Sequence, residues 1–179
     1  KKSRAAIHFL LLDGAYTTGT NGAIVGAGGT IVFTQDSGLT WEQATILHET
    51  ETRINSVFFT SAKQGWAVGT NGAIFTANGG GRLWRLVPQD ETTSTLNNVY
   101  FTSSRDGYAA GNDGTILHTT DAGVHWFLEK TRITHNLNKI VFNGTSGFAI
   151  GFGGTILAKG PGFNLPKEGI PVISPKIGE

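Results

Sequence analysis

Carboxylates are the side chains of this chain best suited to catalysis, and their setting argues against most of it. Glycoside hydrolysis needs two acids across one cleft, one to protonate the leaving oxygen and one to act as nucleophile or base. Asp113, Glu49 and Asp90 fall between periodic segments where such a pair could stand, but no spacing singles out two of them. A sialidase would need three convergent arginines, a tyrosine nucleophile and an Arg-Ile-Pro element, and Arg53-Ile54-Asn55 is not that element. The five histidines lack metal-ligand spacing: His118 falls in a strand and His125 in a hairpin. The chain has no cysteine, which removes thiol chemistry and a disulfide framework. No metal and no cofactor is expected. Asn143-Gly144-Thr145 fits a glycosylation sequon and is read as chance.

Whatever function there is must be positioned by a repeat. A glycine hairpin recurs as Gly26-Ala-Gly-Gly-Thr-Ile31, Gly69-Thr-Asn-Gly-Ala-Ile74, Gly111-Asn-Asp-Gly-Thr-Ile116 and Gly151-Phe-Gly-Gly-Thr-Ile156. Trp41, Trp84 and Trp126 keep the same beat. A period of about 40–45 residues built from short strands is the signature of propeller blades. Asn71-Gly72, Asp113-Gly114 and Gly153-Gly154 supply the positive φ angles of two-residue hairpins. Each repeat parses into four strands, as in Ile54–Phe59, Gly65–Gly69, Ala73–Thr76 and Leu83–Val87. No segment sustains a 3.6-residue period, so essentially no helix is expected.

The first repeat carries Ala23 where the others have Trp66, Tyr108 and Phe148, and its inner strand falls within residues 10–17. The fourth ends after Ile156-Leu157 without a tryptophan. The expected fold is therefore an all-β propeller of four-stranded antiparallel blades, about four in number. Residues 1–160 hold the blades and 161–179 a tail spaced by Pro161, Pro166, Pro171 and Pro175. Residues 4–9 could close the ring by pairing with the last blade. Membership of a larger, seven-bladed ring is the competing reading.

Between the third and fourth strands stands Thr34-Gln-Asp36-Ser-Gly38-Leu-Thr40-Trp41, repeated as Thr119-Thr-Asp121-Ala-Gly123-Val-His-Trp126. A degenerate copy runs from Thr76 through Asn78 to Trp84. A carboxylate placed this way accepts hydrogen bonds from the turn's own N–H groups, so Asp36 and Asp121 read as structural staples, with Trp41, Trp84 and Trp126 sealing the hairpins. The motif resembles the Asp-box, or BNR repeat. Joined to Gly-aromatic-Ala-x-Gly-x-x-Gly-Thr/Ala-Ile, it is similar to the photosystem II stability/assembly factor family across roughly residues 22–157.

That resemblance implies an Asp-box propeller, usually seven-bladed, that is exported to periplasm or thylakoid lumen and binds a protein chain through a basic patch. It implies a non-enzymatic scaffold or assembly factor. A glycoside hydrolase, or a piece of one, is the first alternative, and a structural module of a larger protein the second. The loops 43–53, 88–95 and 129–136 face away from the Asp-boxes and vary in sequence, so individuality resides there. They hold His48, Glu49, Glu51, Arg53, Asp90, Glu91, Lys130, Arg132 and His135. Arg53 and Arg132 are the arginines that fit a partner-binding patch, with His135 beside them; Arg105, Arg82 and Arg85 belong to the other side or to the blade. Asn55, Asn97 and Asn138 begin successive inner strands and would ring the channel mouth, or cap the incoming loop.

Composition sets the remaining bounds. With 14 basic and 13 acidic side chains, net charge is +1, which implies neither nucleic acid nor an anionic membrane as partner. No apolar run approaches the roughly 20 residues of a membrane span. A protein or peptide partner is expected, and a homo-oligomer completing a larger ring is left open. The start Lys1–Asp13 superficially resembles a targeting signal, but His8 and Asp13 interrupt it, and it reads as a folded strand. The absence of an initiator Met suggests a processed or truncated chain.

Overall fold

A computed structural model describes residues 9–17, 19–47 and 51–159. Four twisted antiparallel sheets follow one another along the chain. Blade 1 is β1 (Leu11–Tyr16), β2 (Gly22–Gly26), β3 (Ile31–Thr34) and β4 (Glu42–Gln43). After β5 (Thr45–Leu47), blade 2 is β6 (Ile54–Phe59), β7 (Gln64–Gly69), β8 (Ile74–Asn78) and β9 (Leu83–Leu86). Blade 3 is β10 (Leu96–Phe101), β11 (Gly107–Gly111), β12 (Ile116–Thr119) and β13 (Phe127–Leu128). Blade 4 is β14 (Leu137–Asn143), β15 (Ser146–Gly151) and β16 (Ile156–Lys159). The inner strands pack in the order β1, β6, β10, β14, as blades around an axis do.

The expected propeller is present, and the hairpin turns behave as their sequence requires. Asn71, Asp113 and Gly153 take φ of 58°, 56° and 65°, each followed by a glycine near 70°. Apart from these single turns, the described residues contain no helix.

Two departures from the sequence reading concern strands. The segment 43–53 was expected to be an inter-blade loop, yet Thr45–Leu47 forms β5, which pairs in parallel with β9 and gives blade 2 a fifth, outer strand. Ile46 packs against the core there, and covering an outer edge removes a template for unwanted pairing. The fourth strand of blade 3 is shorter than expected, two residues rather than the run from Val124 to Leu128. The proposed closure through residues 4–8, the tail 161–179, His48 and Glu49 lie outside the described residues.

Glycine at both ends of each second strand has a steric cause. A Cβ on Gly65, Gly107 or Gly147 would sit 2.5, 2.5 or 2.4 Å from the ring of Phe59, Phe101 or Phe142. The inner-strand aromatic lies on the vacant space. At the other end, a Cβ on Gly26, Gly69, Gly111 or Gly151 would lie 2.0–2.2 Å from the carbonyl oxygen of Leu10, Arg53, Thr95 or Asn136. That carbonyl comes close because it accepts the N–H of the first turn residue, as Arg53 does from Thr70 at 2.9 Å.

Three apolar clusters fill the three boundaries between blades. Ala23, Val25, Ile31 and Phe33 of blade 1 meet Ile54, Val57, Phe59 and Trp84 of blade 2. Trp66, Val68 and Ile74 meet Leu96, Val99, Phe101 and Trp126. Tyr108, Ala110 and Ile116 meet Leu137, Ile140 and Leu157. Each second strand therefore faces forward, onto the inner strand of the next blade. Trp84 and Trp126 are core residues of these boundaries; Trp41, on blade 1, is half-buried.

Candidate functional site

The Asp-box turns are internally satisfied. Asp36 accepts from the Thr40 N–H at 2.9 Å, the Thr40 hydroxyl at 2.6 Å and the Thr34 hydroxyl at 2.7 Å. Asp121 accepts from the N–H groups of Val124 and His125 at 3.1 and 3.0 Å and from Thr119 at 2.9 Å, and His125 Nδ1 lies 2.6 Å from its second oxygen. Hydrogen bonds from Thr40 chiefly hold the Asp36 carboxyl down to about 2, and the His125 backbone N–H does so for Asp121, also about 2. Asn78 does not copy this role. Its side chain makes no turn hydrogen bond, and the turn rests on Gly79, Gly80 and Gly81, all at positive φ.

The pH consequence has a definite sign. A carboxyl whose folded pKa is depressed below its unfolded value near 3.8 stabilises the fold above that pH, and the contribution fades as pH falls through about 2. Both turns are surface-exposed, so solvent reduces the effect. Between pH 5 and 2, the urea midpoint of the wild-type chain should fall more steeply than that of an Asp36→Asn/Asp121→Asn variant (pH values are approximate). Parallel profiles would contradict the staple role.

The opposite face carries the inter-blade loops laid along the glycine turns. Gln89 Nε2 donates to the Gly72 carbonyl at 2.7 Å, and the Thr131 hydroxyl to the Gly114 carbonyl at 2.8 Å. Arg53 is exposed and immediately precedes β6. Arg132 is exposed and held at φ 54° in the loop before β14. They stand at different junctions, blade 1 to 2 and blade 3 to 4, with all of blade 3 between them in the chain. His135 is exposed over the Gly153 turn, and its carbonyl accepts the Gly114 N–H at 3.0 Å. Asp113 sits in the blade 3 turn and takes the Ser94 hydroxyl at 3.0 Å; Asp90 is exposed in the loop before.

The asparagines bridge blades. Asn55 Nδ2 donates to the Leu96 carbonyl at 2.8 Å, and Asn97 Nδ2 to the Leu137 carbonyl at 2.9 Å. Asn138, the third in the series, is exposed. The Asn55 Oδ1 is buried without a partner.

A second series was not anticipated. Each inner strand bulges after its first residue, and the residue that follows reaches forward to the next blade. Asp13 Oδ2 accepts from the Val57 N–H at 3.0 Å, Ser56 Oγ from the Val99 N–H at 3.4 Å, and Asn98 Oδ1 from the Ile140 N–H at 2.9 Å. These acceptors cap channel-side N–H groups that would otherwise be an open strand edge. With Lys139, the fourth of the series, they border a groove of about 350 Å³ along the inner strands.

The other titratable cluster lies near the Asp-box end of the blade 3–4 boundary. His118 stands between Glu129 at 3.1 Å and Asp106 at 3.4 Å and stacks on Tyr108 with centroids 4.3 Å apart. Lys159 bonds the Tyr108 hydroxyl and lies 4.2 Å from the ring centroid. Burial first, then the Asp106 and Glu129 charges, push the Tyr108 hydroxyl well above the usual phenol range; burial pulls Lys159 down. Among the described residues, no group of three or more acidic or histidine side chains converges to hold a metal ion.

Fold and turn chemistry together define an Asp-box β-propeller whose loop face and channel are free of the staple motif. The model of the Photosynthesis system II assembly factor YCF48 family matches residues 3–91, 46–132 and 85–159. The chain belongs to that family. Among solved structures it is similar to YCF48 bound to D1 peptide, at 24% identity and a TM-score of 0.73, covering 88% of this chain and 53% of that one. YCF48 from Cyanidioschyzon merolae matches at 20% identity and 0.72, covering 90% and 56%. An ancestral GH74 enzyme matches at 13% and 0.67, covering 83% of this chain and 22% of that one, a likeness of fold alone. The chain thus spans about half the length of the YCF48 structures it matches. No curated protein sequence matches. No helix among the described residues is long and apolar enough to cross a membrane.

Proposed function

We propose that this chain is a non-enzymatic assembly scaffold, exported to the lumen or periplasm, that binds an extended polypeptide on the loop face and channel mouth. The observation that carries this reading is the family match across the blades, read beside a relative solved with a D1 peptide. The geometry supports the choice of face. Asp-box turns spend their donors and acceptors on themselves, whereas the loop face offers Arg53, Arg132 and His135 exposed. An arginine fork can hold a carboxylate or peptide carbonyls with two parallel bonds. The two arginines stand at separate junctions, which suits a ligand long enough to cross several blades rather than a small molecule.

Fluorescence anisotropy with labelled D1 peptides tests this. Arg53→Glu/Arg132→Glu should weaken binding about tenfold, close to 1.4 kcal/mol, and flatten its salt dependence. Arg82→Glu/Arg85→Glu, on the blade's outer side, should leave it unchanged. Equal loss from both pairs would move the site off the loop face. Turnover of glucan or sialyl substrates, lost on changing Asp90 or Asp113, would instead favour a glycosidase.

A further inference from the structure

Blade 4 presents a face that its sister blades bury. Trp66 stacks on Phe101 across the blade 2–3 boundary with centroids 3.9 Å apart, and Tyr108 on Phe142 across the next at 5.0 Å. Val68, Ile74, Ala110 and Ile116 are fully buried beside them. The same positions in blade 4 are Phe148, Ile150 and Ile156, which are 45%, 39% and 42% exposed. An apolar sheet face of this kind marks an interaction surface.

Blade 1 carries the receiving half of the same joint. By register, Leu11 and Tyr16 hold the places of Leu96 and Phe101. They are 39% and 56% exposed. The molecule therefore bears, at its two ends, the two sides of the contact that it makes three times internally.

The channel series adds charge complementarity. Its members bond one another in sequence: Ser56 Oγ donates to Asp13 Oδ2 at 2.8 Å, and Asn98 Nδ2 to Ser56 Oγ at 3.0 Å. The next place is Lys139, a donor without acceptor capacity. The series begins with an anion and ends with a cation.

We propose that two copies of this chain associate head to tail, blade 4 of each on blade 1 of the other, as one eight-bladed ring. In it, Phe148 stacks on the partner subunit's Tyr16, and Lys139 donates to the partner subunit's Asp13. Eight blades lie within the range that propellers adopt. A head-to-tail contact that closes after two copies avoids open filaments. Two copies also supply about the length of one of the YCF48 chains matched above. This proposal does not depend on the peptide-binding reading, because it is read from mass and cross-linking alone.

Light scattering on the purified 179-residue chain should give the mass of two 19.0 kDa chains. Phe148→Asp/Ile150→Asp should return it to the mass of one with its β-sheet circular dichroism intact. Because the chain has no cysteine, a second experiment stands independently of that variant's folding. Tyr16→Cys and Phe148→Cys proteins, mixed under mild oxidation, should cross-link to each other. Leu39→Cys, exposed at an Asp-box tip, should not join Phe148→Cys. A one-chain mass for the wild type would overturn the proposal and leave the face to another occupant. A two-chain mass untouched by the Asp substitutions in a folded protein would overturn it too, as would Phe148→Cys linking to itself as readily as to Tyr16→Cys.

Discussion

Replacing Gly69 with alanine should destabilise the chain by on the order of 3 kcal/mol, at the upper end of overpacking costs. The new methyl would stand 2.1 Å from the Arg53 carbonyl oxygen. That oxygen cannot retreat, because it accepts the Thr70 N–H at 2.9 Å and starts the pairing of β6 with β7. Backbone, not a flexible side-chain end, must move. Gly79 provides the comparison. Its φ of 108° also disfavours a side chain, but nothing lies within 4 Å of an added Cβ. Gly79→Ala should therefore cost only about 1 kcal/mol of backbone strain. Urea denaturation of both variants separates the two causes. Equal losses would show that backbone conformation, rather than the close approach, explains the repeated glycine.

Trp66→Ala should cost about 3–5 kcal/mol, the usual range for emptying a buried aromatic site. Trp66 is fully buried, stacked on Phe101 and packed within the cluster that joins blades 2 and 3. Its Nε1 is buried without a hydrogen-bond partner, so the substitution removes ring contacts without stranding an acceptor. Trp66→Phe should recover a large part of the loss. The measurement is again the urea midpoint, with the slope watched for a decoupled blade. A loss near 1 kcal/mol would mean that the boundary refills the space and that the stack matters little.

The blade plan was legible because hairpin chemistry is local. Asn71-Gly72 and Asp113-Gly114 announce their φ angles in two letters, and the Asp36 and Asp121 staples close within five residues. Features that join blades were harder to read. Asp13, Ser56, Asn98 and Lys139 occupy one structural position but share no side-chain type, so no consensus marks them. Asn55, Asn97 and Asn138 do repeat, and their spacing was visible. Their acceptors lie some forty residues on, in the following blade, and only the fold reveals them. Strand β5 escaped notice because its three residues pair in parallel with a strand that comes much later in the chain. For the loop face, Arg53 and Arg132 could be assigned to the correct side from topology, but not their separation by an intervening blade.

The contacts between blades all point the same way along the chain. Asp13 serves Val57, Ser56 serves Val99, Asn98 serves Ile140, and Trp66 and Tyr108 lay their rings on the blade that follows. A ribosome releases the chain from its N-terminus, and early segments begin to fold before later ones emerge. Each inner strand leaving the exit tunnel would thus meet a finished surface, with acceptors for its edge and an aromatic for its apolar side already in place. Synthesis in the reverse order would offer each new blade nothing to dock on, although the completed molecule would be the same. The polarity of the array matches the polarity of translation.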